Sequence, residues 1–226
     1  MVRELERKLP SSSIKRKDLE IFKKVLSQTT KSKNKIYSLH EPEAYCIAKG
    51  KAHKKYEYGC KASVILTQKT GIIVGAMTFK TNVYDGHTLE DVLTQTKELT
   101  GRYPLNAWVD RGYKGKKTIG ETYINMPKPP LKRDSEYQKR KKRKHFRKRA
   151  AIEPIIGHLK QDHRAVRNYL KGQDGDSINF IMAAAGFNFN KVMKKLKAAI
   201  SWMFFKLKMM FLYTINQYPK NIYTIN

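Results

Sequence analysis

The chain has 226 residues and a formal net charge of +28, from 47 Lys and Arg against 19 Asp and Glu. An excess this large repels itself and normally answers a polyanion, so it argues against an enzyme of small metabolites and for a nucleic-acid partner. Two cysteines are too few for a disulfide framework, and no Cys/His cluster has zinc spacing.

The N-terminus is charged and lacks the apolar core of a signal peptide. Residues 3 to 29 read as two helices broken at Pro10, with Ser11, Ser12 or Ser13 as a cap for the second. A polar basic linker, Lys31 to Lys35, follows. Tyr56 to Gln68 and Ile72 to Lys80 are rich in aromatic and β-branched residues and flank a Gly71 turn, which predicts a hairpin. Asp85-Gly86 reads as a turn signal. Thr88 to Thr100 has helical spacing and stops at Gly101. Residues 105 to 109 then form a strand with Asp110 at its end. A strand–helix–strand crossover puts that strand parallel to a hairpin strand in one α/β sheet. Asp110 would then lie beyond a carboxyl end, where functional groups collect.

A further short strand is expected at Thr122 to Met126. Lys139 to Arg149 holds nine Lys or Arg in eleven residues and runs into an apolar-periodic segment, which fits a phosphate-contacting surface better than a solvated arm. Pro154 means that a helix either begins at Glu153-Pro154 or kinks there. Ile156, Leu159, His163, Val166 and Leu170 would share one face. Gly172 to Gly175 reads as a turn and Asn179 to Leu196 as a final helix. Ala198 to Tyr213 is apolar but carries Lys206 and Lys208 and falls short of the roughly 20 residues of a membrane span.

Asp110 and Glu153 are the candidate acids. Cutting a phosphodiester needs an activated water and neutralised charge, and hard cations that supply both prefer carboxylate oxygens. Each residue also has an ordinary reading: a turn aspartate, and a glutamate favoured at a helix start. His158 and His163 are five apart, off the spacing of a helical zinc pair. His40, His53 and His87 read as surface residues.

The residues Phe146, Arg149, Glu153 and Lys160 have the spacing of a Tyr-Arg-Glu-Lys signature, with Phe in place of Tyr. Around them, KIYSLHEPEAYCIAKGKAHKKYEYGCK, VYDGHTL, WVDRGYKG, IEPIIGHLKQDHR, NYLKGQDGDSIN and AAAGFNF follow in order over residues 35 to 190. In these blocks the chain resembles the DDE transposases of bacterial insertion sequences. The resemblance implies an α/β, RNase-H-like mixed sheet flanked by helices, with a two-metal site for Mg²⁺ or Mn²⁺. It makes Asp110 and Glu153 the second and third acids and metal ligands. It places Arg149 and Lys160 near the scissile phosphate, with Phe146 in the tyrosine's place. Arg111, Lys141, Arg143, Arg147 and His158 join them as candidate contacts to DNA phosphates.

The family's first acid lies on a first strand, and residues 3 to 29 resemble the helical insertion after it. The expectation is therefore an N-terminally truncated copy that need not be active: a helical lead (1–34), a catalytic-core remnant (35–170), a C-terminal helix (171–200) and a divergent tail (201–226). Asp18 and Asp85 are not promoted to the missing acid. The expected partners are terminal inverted repeats and target DNA, with a homo-oligomer in the synaptic complex, no membrane, and a cytoplasmic, nucleoid-associated location. The alternatives are a non-catalytic DNA-binding regulator or relic and an unrelated basic RNA-binding protein.

Overall fold

The computed structural model describes residues 1–51, 54–113 and 115–217. His53, Lys114 of WVDRGYKG and residues 218–226 of the tail lie outside the described residues. The lead forms two helices, α1 (Val2–Lys8) and α2 (Lys15–Ser27). No serine caps α2; its N-cap is Ile14. The Arg16 side chain instead donates to the Leu9 and Pro10 carbonyls across the break.

The long strand expected from Tyr56 to Gln68 is divided. Strands β1 (Tyr45–Lys51) and β2 (Lys54–Gly59) make one antiparallel pair, and β3 (Lys61–Leu66) and β4 (Ile73–Phe79) make a second. Gly59 sits at φ +127, a region open to glycine and strained for any side chain, and there the chain leaves one pair for the next. The predicted β3–β4 hairpin forms. Helix α3 (Asp85–Thr100) starts earlier than expected, because Asp85-Gly86 is its first turn rather than a free turn. It ends, as expected, at Gly101 in the left-handed conformation.

The expected crossover pairing does not form. Strand β5 (Asn106–Trp108) runs parallel to β7 (Thr122–Asn125), which is antiparallel to β6 (Thr118–Ile119). This small mixed sheet shares no strand pairing with the β3–β4 hairpin. Part of the β4 edge is already taken. The Gln95 side-chain amide bonds both the N–H and the C=O of Ala76 (2.8 and 3.1 Å), and Asn188 does the same for Ile73 (2.8 Å each). Backbone groups satisfied this way are closed to another strand.

Helix α3 joins the two sheets instead. Its Leu89, Val92 and Leu93 pack with Val109 and Ile119 from one side and with Ile65 and Met77 of the hairpin from the other. Gly75 lets the helix approach, since a Cβ there would lie 2.5 Å from the Thr96 hydroxyl. On the opposite hairpin face, Ile73 and Ala76 meet Leu159, Ala183 and Ala184 of the C-terminal helices.

Those helices are α4 (Glu136–Ala150), α5 (Glu153–Gln161) and α6 (Gly172–Gln217). Ser135 and Gln138 close a capping box on α4. The proline question resolves as a fresh start, with Pro154 in the first turn of α5. Helix α5 stops at Gln161 and Arg164 turns at φ +56, so Val166 and Leu170 are exposed and the expected face shrinks to Leu159 and to His163, which is half-buried against Phe187. Helix α6 outruns its prediction at both ends: Gly172 to Gly175 begin it, and it continues through residue 217. Among the described residues no helix is long and apolar enough to cross a membrane.

Two substitutions test this core by urea unfolding. Leu93 is fully buried between the sheets, so Leu93→Ala should cost about 2–5 kcal/mol. The Thr122 hydroxyl is buried with no hydrogen-bond partner in the structure, so Thr122→Val should stabilise by about 1 kcal/mol or leave stability unchanged.

Candidate active site and nucleic-acid face

Asp110 stands where the sheet ends. Val109 is buried, and its N–H reaches the Asn125 carbonyl at 3.0 Å, one step past the last β5–β7 pair. The chain then turns, with the Tyr113 N–H on the Asp110 carbonyl at 3.1 Å. The Asp110 Oδ1 accepts the Arg111 N–H at 2.7 Å, which leaves Oδ2 facing outward.

The basic helix supplies the partner. Arg149, in the last turn of α4, donates to Asp110 Oδ2 at 2.8 Å through one guanidinium nitrogen. Its other terminal nitrogen binds Glu153 Oε1, at the start of α5. Two carboxylates from distant parts of the chain thus meet on a single guanidinium. Both are more than half exposed, while the Arg149 side chain is about one-fifth exposed.

Aromatic packing brings α4 here. Trp108 stacks edge-on against His145, with centroids 4.6 Å apart, and the Lys148 ammonium sits 4.8 Å from the Trp108 ring centre. Burial, and then the charges of Lys148, Lys141 and Lys144, push the His145 imidazole below its usual pKa. Below it, Lys142 pairs with Asp134 at 2.7 Å. That hydrogen bond, and the Leu131 N–H, hold the Asp134 carboxyl below the usual range. On the other side of the turn, Asp85 pairs with Lys61 at 2.5 Å and packs against Gly112, where a Cβ would lie 2.5 Å from Asp85 Oδ2.

Not all the expected residues gather at this point. Lys141, Arg143, Phe146 and Arg147 are exposed on α4, Arg111 is exposed beside Asp110, and Lys160 is exposed nearly two turns after Glu153. His158 is engaged elsewhere: its Nδ1 meets Asp162 at 2.7 Å, and its ring lies near Phe187 of α6. The sequence reading missed Trp108, His145 and Lys148. Their signals were there, a tryptophan two residues before Asp110 and a histidine four before Arg149 on the same helix face.

Among the described residues no group of three or more His, Cys, Asp or Glu is placed to hold a metal ion. Asp110 and Glu153 nonetheless offer hard oxygens converging on one positive charge. That donor type suits Mg²⁺ or Mn²⁺, whose shells water and phosphate oxygens commonly complete.

Searches among curated proteins and among solved structures return no match. A family model described as the transposase DDE domain matches residues 16–189, a span that holds Asp110, Arg149 and Glu153. With a match over most of its length, the chain belongs to the transposase DDE domain family.

Proposed function

We propose that this transposase-family chain cleaves and joins DNA strands at the ends of an insertion sequence, with Asp110 and Glu153 as acids of its metal site. The observation that carries this reading is the meeting of the two carboxylates on Arg149, across 43 positions of sequence. Acids that only filled a turn and a helix start would have no reason to converge. The two sheets around α3 are read as the core of an RNase-H-like fold.

The chain's own residues divide the work. Asp110 is positioned by its strand end and Glu153 by the first turn of α5, and both would hold the ion once Arg149 gives way between them. Mg²⁺ or Mn²⁺, when bound, would supply an activated water and offset charge developing on the scissile phosphate. Arg149 neutralises the acid pair before DNA arrives, and its guanidinium is shaped to grip a phosphate afterwards. Lys141, Arg143 and Arg147 extend the grip along the DNA backbone, with Arg111 and Lys160 flanking the acids. Terminal inverted repeats and target DNA are the partners, and joining two ends calls for more than one protomer.

A second reading is a DNA-binding regulator without catalysis. It is favoured by one observation: among the described residues, no third carboxylate joins Asp110 and Glu153.

A cleavage assay on terminal inverted repeats with Mg²⁺ or Mn²⁺ separates the two. Under the first reading the chain nicks the ends, and Asp110→Asn or Glu153→Gln removes nicking by at least 100-fold while DNA affinity changes little. Salt-sensitive binding with no metal-dependent nicking would leave the regulator.

The basic face has its own test. Every cation withdrawn from the phosphates of B-DNA lowers the slope of log K against log salt by about 0.9. Replacing Lys141, Arg143 and Arg147 together by Ala should therefore reduce the slope by up to about 3, equally for any sequence. An unchanged slope would remove α4 from the interface.

A further inference from the structure

Strands β1 and β2 form a two-stranded ribbon that shares no strand pairing with the other sheets. Gly59, at φ +127, ends the ribbon and passes the chain to the β3–β4 pair. The register decides which side chains share a face. Cys46 lies opposite Tyr58 and Ala48 opposite Tyr56, so these four stand together, while Ile47 and Glu57 stand on the reverse. On the reverse face Ile47 and Glu57 are half-buried. The first face is open at its tyrosines: Tyr56 is 54% exposed and Tyr58 61%.

A third ring joins them. Tyr37, 47% exposed, tilts against Tyr58 with ring centroids 5.3 Å apart. Opposite Tyr56 stands only the methyl of Ala48, which leaves that ring uncovered. Two residues apart on one face, Tyr56 and Tyr58 are spaced about 7 Å along the strand. That is about twice the 3.4 Å rise between stacked bases, which leaves room for a base between neighbouring rings. The ribbon is also basic. Between Ala48 and Gly59 the sequence has Lys49, Lys51, His53, Lys54 and Lys55 against one acid, Glu57. A ligand for such a surface must offer negative charge and flat apolar faces together. An acidic protein surface offers the charge and leaves the rings unused. A duplex offers phosphates but keeps its base faces inside the stack. A single strand offers both.

We infer that the Tyr37, Tyr56 and Tyr58 face of the β1–β2 ribbon holds unpaired DNA, with bases stacked on the rings and phosphates drawn by the lysines of the ribbon. This rests on the proposed action at DNA ends, because nicking and joining are what free a single strand there. Every base has a π-face, so the ribbon takes any sequence. Its work differs from that of α4, whose cations answer the phosphates of a duplex. The ribbon distinguishes an opened strand from a paired one, because its rings gain nothing from bases that are already stacked.

Fluorescence anisotropy of the full chain in EDTA tests this, with labelled oligothymidylate of about 12 nucleotides and a duplex of the same length as probes. Tyr56→Ala with Tyr58→Ala should weaken single-strand binding about 10-fold or more and leave duplex binding within about 2-fold. Tyr56→Phe with Tyr58→Phe should bind the single strand as the wild type does, because the ring stacks and the hydroxyl is not needed. Oligothymidylate carrying 5-iodouracil should photo-cross-link to Tyr56 or Tyr58 in the unaltered chain, a readout that needs no variant to fold. An alanine variant with undiminished single-strand binding would overturn the inference. So would a phenylalanine variant that fails like the alanine one, an equal loss on the duplex, or cross-links confined to α4. No metal is present in any arm, so failure of the cleavage assay and failure of the ribbon would be seen separately.

Discussion

Two sheets that share no strand pairing are held together by one face of helix α3. Val92 and Leu93 are almost completely buried, and the residues around them come from both sheets. Apolar burial has no direction, so it can join surfaces whose backbone edges never meet. The geometry of the candidate site follows from this packing. Val109 lies in the same cluster as Leu93, and Asp110 is the next residue. The acid is exposed, yet the atoms that position it are in the core. On the far side of the turn, Gly112 packs against Asp85, the first residue of the same helix. One helix therefore sets both sides of the turn that carries the acid.

Arg149 plays a different part. Its ion pairs join solvent-exposed carboxylates, and exposed pairs contribute at most about 1 kcal/mol, less in salt. They cannot be what holds α4 against the sheet. The packing of Trp108 with His145, one turn back from Arg149, and with the neighbouring Lys148 does that. Arg149 is then free to serve as a counter-charge for two acids that would otherwise repel each other. A weakly held cation between two acids is also easily displaced. Such a site suits a protein whose ligands are a hard divalent ion and a phosphate, each of which can take over one half of that arrangement.

The elements legible in the sequence were those fixed by local chemistry. The α3 stop at Gly101 and the β3–β4 hairpin around Gly71 each follow from a backbone preference of one residue, while Pro154 narrowed the chain there to a fresh helix or a kink without choosing between them. Asp110 was placed at a strand end by the apolar run before it. What escaped was non-local. The β1–β2 pair hides in a segment where Gly59 breaks a continuous β-like pattern. The separation of the sheets depends on Gln95 of the next helix and on Asn188, 115 residues from Ile73, reaching β4, and no spacing rule shows that. The meeting of Asp110 with Arg149 and Glu153 needs α4 to dock on Trp108, a pairing of residues 37 apart. The structure tied His158 to Asp162 instead, because residues four apart on a helix meet more readily than distant ones.

Helix α4 shows how charge limits the fold. It has no buried residue, since its cations leave almost nothing apolar to bury. It is kept in place at its two ends, by the Ser135–Gln138 box with the Asp134–Lys142 pair and by the packing around Trp108. Between them, exposed cations stand side by side, and the Lys139–Glu136 and Lys142–Asp134 pairs offset only part of their repulsion. A helix of this kind is poorly built as a scaffold and well built as a surface for a polyanion. DNA would remove the repulsion that the rest of the fold leaves unanswered. On the proposed reading, the acids at its C-terminal end would then lie beside phosphates held by α4, so one helix would both draw in the DNA backbone and bring it to Asp110 and Glu153.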